Sequence, residues 1–126
     1  MIVDWELEDW LLDTGGIVEV KAIAGGILSP IEQLIREFWV FDMQTRNGGV
    51  SQYFVNYGRE QWMELHAAWL PELVPSLEPI LNEVDRLIAG EKDAYLATLE
   101  ASPKIEEFYE SYQLAVRREL RRAYQN

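Results

Sequence analysis

Apolar residues recur along this chain at spacings of three and four, interrupted by short glycine- and proline-containing breaks. That spacing puts them on one face of an α-helix, whose period is 3.6 residues. Residues 4–14 predict a short first helix, with Asp4 as its cap and Trp5, Leu7, Trp10, Leu11 and Leu12 as apolar contacts. Gly15–Gly16 reads as its stop. Ile17–Ala24 is ambiguous: Val18, Val20 and Ile23 favour a strand, while so short a tract suits a buried helical turn equally well. Gly25–Gly26 closes it.

The second helix has a sharper start. Ser29 is a cap candidate, Pro30 occupies the first helical position, and Glu32 stands where it can return a hydrogen bond to the cap. Ile31, Leu34, Ile35 and Phe38 follow at helical spacing. Trp39, Val40 and Phe41 make the second half apolar nearly all round, which predicts a central helix running to about Thr45. Val50, Tyr53, Phe54 and Tyr57 predict a short helix over residues 49–57, broken at Gly58. Gln61–Leu70 predicts another, with Trp62, Leu65, His66 and Trp69 on one side. After a turn bracketed by Pro71 and Pro75, Ser76 is expected to cap a helix from Leu77 to about Ala89. Residues 91–101 form a weaker helical segment. A long stripe from Ile105 through Phe108, Tyr109, Tyr112, Val116 and Leu120 to Ala123 predicts one last helix opening at Pro103. The expected fold is mostly α: an array of about five to seven helices in a single domain over residues 1–126, with extended structure confined to residues before 28.

Charge changes this picture more than composition does. The 126 residues carry 22 acids and 11 bases, for a net charge of −11. The acids crowd the first 110 residues, whereas Arg117, Arg118, Arg121 and Arg122 make the last segment basic. A field of this sign repels nucleic acid and anionic membrane and attracts basic proteins, less so as salt rises. No direct nucleic-acid contact is expected, and no membrane contact. There is no run of 18 apolar residues, and the opening MIVDWELEDW lacks the pattern of a secretory leader. The absence of cysteine excludes disulfides and thiolate chemistry and fits a reducing cytoplasm.

Chemistry is sparse. His66 is the sole histidine, and Glu64, two residues away, does not share its helix face. Phosphate loops, EF-hands and nucleophile elbows are missing. No catalytic residue, metal ligand or cofactor is expected. Glu106 and Glu110 could face the same way, and with Glu107 they are explained by the dipole at a helix start. The late arginines suit a helix end and are available to pair with acids elsewhere. A cleft among Trp39, Tyr53, Trp62 and Trp69 is the alternative, a small-ligand or enzyme site. A structural or antitoxin-like partner domain is a further one.

The segment Phe38–Tyr57, FWVFDMQTRNGGVSQYFVNY, resembles the bacterial DNA-mimic protein family. The matching residues are Asn47, Gly48, Gly49, Gln52, Tyr53, Phe54 and Asn56; Val50 is smaller than the expected phenylalanine, and Tyr57–Gly58 departs from the pattern. A looser likeness runs from Ser29 to Leu120. The resemblance implies a multi-helix fold and, in the family's characterised branch, a dimer whose acidic surface stands in for DNA phosphate on a DNA-binding protein. The motif itself reads as structural, with Gln52 and Asn56 expected to bond to the loop around Asn47. Mimicry requires ordered carboxylates, since duplex DNA carries a charge about every 1.7 Å of its axis. The candidates for that surface are Asp4, Glu6, Glu8, Asp9 and Asp13, extended by Glu60, Glu64, Glu72, Glu78, Glu83 and Asp85. The expected function is an acidic interaction domain for a basic, DNA-binding protein.

Overall fold

The computed structural model describes residues 4–126. The elements are α1 (Trp5–Ile23), α2 (Pro30–Gly48), α3 (Val50–Asn56), α4 (Gly58–Ala68), a 3-10 turn (Pro75–Leu77), α5 (Glu78–Ile88), α6 (Ala94–Leu99), α7 (Ser102–Glu110) and α8 (Gln113–Gln125). Eight helices exceed the expected five to seven, and no strand occurs among the described residues. None of these helices is long and apolar enough to cross a membrane.

α2 is the hub, touching α1, α3, α4 and α8. Its start is the expected capping box: Glu32 N–H donates to the Ser29 hydroxyl at 3.3 Å, and Ser29 N–H donates to the Glu32 carboxylate at 2.9 Å. Leu34, Ile35, Phe38 and Phe41 are fully buried along it. Phe41 meets Tyr53 of α3 edge-on at 5.2 Å and Trp62 of α4 at 5.5 Å, so three helices close on one aromatic cluster. α8 returns to lie against α1, where Trp10 and Tyr124 meet edge-on at 6.1 Å.

Three local expectations are corrected. Gly15–Gly16 does not stop α1, which continues through the ambiguous tract to Ile23 as helix. The glycine there serves packing: a Cβ on Gly15 would sit 2.8 Å from ring carbons of Trp39, so its absence lets α2 approach. Ser76 lies within the 3-10 turn rather than capping α5, and its hydroxyl and N–H both donate to Glu119 of α8. The last helix is two. The chain leaves α7 at Ser111–Tyr112 through tight i+3 hydrogen bonds to Phe108 and Tyr109 carbonyls, with no glycine or proline to mark the place. The break allows Tyr109 and Arg117 both to be fully buried.

The two helical glycines make a paired test. Gly16→Ala, with nothing within 4 Å of its Cβ position, should stabilise by up to about 1 kcal/mol through helix propensity. Gly15→Ala should lose that gain to the clash with Trp39 and come out destabilising by about 1–2 kcal/mol. Urea denaturation of the two variants reads the difference, and equal effects would mean that Trp39 yields freely.

Candidate functional site

Four charged side chains from three helices meet in the interior. Arg117 of α8, with no solvent exposure, donates through Nη2 to both Asp42 oxygens at 2.8 and 3.0 Å and through Nη1 to Glu8 of α1 at 2.5 Å. Arg46, one turn beyond Asp42 on α2, binds Glu8 at 2.7 Å. Tyr109 of α7 donates its hydroxyl to Asp42, and burial together with that carboxylate pushes its pKa well above the ordinary tyrosine value. The two acids and two arginines balance in charge. Glu8 is therefore half-buried in an ion network, although the sequence places it among the contact acids.

The Asn47–Asn56 motif builds a corner. Gly49 has φ +85°, a left-handed value open to glycine, and a Cβ there would strike Ser102. The Ser102 hydroxyl accepts from Ser51 N–H at 3.0 Å and donates to the Thr98 carbonyl at 3.1 Å, so α7 caps the start of α3. A Cβ on Gly48 would overlap the Gln52 side chain. Gln52 and Asn56 do bond back, but not to the loop around Asn47: both amides donate to Gln44 Oε1 on α2, each at 2.8 Å. Tyr53 and Phe54 are core residues, and Asn47 is exposed.

The remaining acids divide. Asp4 caps α1 by accepting from Leu7 N–H at 3.1 Å. Glu6, Asp9 and Asp13 stand exposed on one flank of α1, at rises of about 4.5 and 6 Å along its axis. Glu60 and Glu64 are exposed one turn apart on α4. Glu72 is exposed in the turn after α4, and Glu78 at the start of α5. Glu83 pairs with Arg86. Asp85 accepts from Trp62 Nε1 at 2.7 Å and lies 2.9 Å from His66 Nε2, which gives the histidine a packed, structural setting.

The bases are largely taken up. Lys21, Arg36, Arg46, Arg86, Arg117 and Arg121 form ion pairs, and Arg59 donates to the carbonyls of Ile88 and Glu91. Arg121 reaches Glu6 at 3.0 Å, so the basic tail and the acidic first helix, far apart in sequence, share one edge. Those six bases engage six carboxylates of the 22, and most of the other acids are exposed, Glu37 being buried.

The aromatic cleft does not form. Tyr53 and Trp62 are packed in the core, and Trp69 donates its indole N–H to the Val74 carbonyl at 2.8 Å. Trp39 alone of the four faces open depressions, on the outward side of α2. In one of these, burial raises the pKa of Glu37 despite hydrogen bonds from Gln61 and Gln33. No cluster of metal-ligating side chains occurs among the described residues.

The fold and this surface define an all-α domain that engages six of its eleven bases in ion pairs and displays most of its acids at least in part. A family model described as DMP19-like protein matches residues 27–125, and the chain belongs to that DNA-mimic family. α1 precedes the matched region. No curated protein and no solved structure matches the chain.

Arg117→Ala should cost about 3–5 kcal/mol, because it strands Asp42 in the interior without its partner. Arg118→Ala, at an exposed position beside it, should stay within about 0.5 kcal/mol. Chemical denaturation of both decides this; a small loss at Arg117 would remove the network from the account of stability.

Proposed function

We propose that this chain is an acidic interaction domain that occupies a basic, DNA-binding protein in place of DNA. The observation that carries the reading is the uneven use of charge. Arginines are drawn into ion pairs, while exposed carboxylates stand unpaired on α1 and α4 at helical intervals. Membership of a DNA-mimic family points the same way. A filled aromatic core disfavours the ligand-binding alternative. An antitoxin-like partner domain without mimicry differs only in its partner, so the partner's own DNA binding separates the two readings.

The test uses the protein as bait at low and at high salt, followed by competition with duplex DNA for whatever is retained. Capture at low salt of a protein that DNA displaces is the expected result. Neutralising Asp9, Asp13, Glu60 and Glu64 together should weaken that capture at least about tenfold. Retention unchanged by the four substitutions, or a partner with no affinity for DNA, would overturn mimicry.

We further propose that two copies pair through α1. Its outward side carries Leu12, Gly16, Val20 and Ile23, opposite the buried Leu11 and Val18. Val20 is 68% and Ile23 76% exposed. With Ile17 these exposed apolar side chains lie past Asp9 and Asp13, toward the end of α1, and clustered exposed apolar side chains mark a contact surface. Sedimentation should show a dimer that the Val20→Lys, Ile23→Lys double variant converts to monomer. A wild-type monomer at about 100 μM would remove the proposal.

A further inference from the structure

The outward side of α2 forms an open groove. Arg36, Trp39, Val40, Met43, Gln44 and Asn47 follow one another at spacings of three and one, a stripe about 16 Å long. α1 walls it on one side; α4 and α7 wall it on the other. Three depressions of about 570, 510 and 230 Å³ lie along it, and Met43 lines all three. Met43 is 46% exposed, and Trp5, at 73%, stands at the rim beside Leu12.

The lining combines two properties that duplex DNA does not combine. The centre of its floor is apolar, made by Trp39, Val40 and Met43, with Arg36, Gln44 and Asn47 beside them. Eight carboxylates against two arginines line the depressions. Both arginines are already committed, Arg36 to Glu19 and Arg46 to Glu8. Asp9, Glu64, Glu106 and Glu110 have no ion-pair partner among the described residues. The break after α7 makes Glu110 its final residue, where the helix dipole disfavours an acid. A dipole-offsetting role therefore does not explain Glu110.

We infer that this groove receives a basic amphipathic helix of a partner protein, its apolar side on Trp39 and Met43 and its lysines or arginines against the acidic rim. Helix-in-groove recognition needs apolar anchors at helical spacing, and an exposed methionine adapts to their shapes. A helix seated on the floor shields the neighbouring carboxylates from part of the solvent, which strengthens their attraction for its cations against a cost in desolvation. The inference rests on the interaction-domain reading and departs from it in the contact used: an apolar floor with charged margins, not phosphate-like rows alone.

A synthetic peptide of about four helical turns tests it, with leucines at i, i+3, i+4 and i+7 and lysines elsewhere. A scrambled peptide of the same composition has no apolar side and serves as control. Fluorescence anisotropy should give at least tenfold tighter binding for the amphipathic peptide. Met43→Lys should weaken it at least tenfold, and Met43→Gln severalfold, with melting temperatures unchanged because the position is exposed. Glu64→Lys with Glu110→Lys should also weaken it at least tenfold. Glu91→Lys with Glu100→Lys makes the same change in net charge at exposed sites outside the groove and should leave affinity within twofold. Equal binding of the two peptides, or equal loss from the two charge-reversal pairs, would overturn the groove. Loss of groove binding with persistent, DNA-displaceable capture leaves mimicry standing; groove binding with no DNA-binding partner sinks mimicry alone.

Discussion

The buried contact between Arg117 and Asp42 is the constraint on which the rest of the structure turns. A guanidinium with no access to water is tolerable only where carboxylates surround it in good geometry. Asp42 and Glu8 supply that geometry, Arg46 balances the second acid, and Tyr109 donates the remaining hydrogen bond. With Arg117 they come from four helices, Asp42 and Arg46 sharing α2. The network can assemble only when α1, α2, α7 and α8 hold one register. Hydrophobic packing would accept small slips among these helices; an uncompensated interior charge does not. One cost remains, since Arg117 Nε has no partner.

Much of the fold was legible because its helices carry ordinary signals. Ser29, Pro30 and Glu32 announce α2, and the helical spacing of Val50, Tyr53 and Phe54 announces α3. The failures share a cause: residues serving distant partners rather than local structure. Gly15 looks like a stop because its purpose, room for Trp39, lies 24 positions away. The α1 tract looked strand-like because it is apolar on two sides, one facing the core and one facing outward, so no single 3.6-residue stripe stands out. The end of α7 was hidden because the stripe of apolar residues continues across the break without a glycine or proline.

The site was less legible than the fold. Local sequence shows how many acids there are, not which are spoken for. Glu8 and Asp9 are neighbours in the chain, yet one lies in the interior network and the other is exposed. Gln52 and Asn56 of the Asn47–Asn56 motif share the acceptor Gln44, which has nothing in its local sequence to single it out. The groove along α2 had a faint signal: Trp39, Val40 and Met43 extend the apolar surface of a helix whose other side is already buried.

These features connect through the disposition of charge. The network takes Arg117 into the interior and ties the half-buried Arg46 to Glu8, leaving net charge unchanged but committing two bases to internal partners. Much of what remains outside is acid without local compensation, on α1 and α7, which the network holds in place, and on α4, which packs on α2. Arrangement matters more than quantity here, because a mobile carboxylate would lose entropy on every contact and dilute its gain. A rigid, acid-rimmed surface with an apolar floor can distinguish a basic amphipathic segment from a merely basic one. Charge sets the rate and range of encounter, and the floor decides which encounters persist.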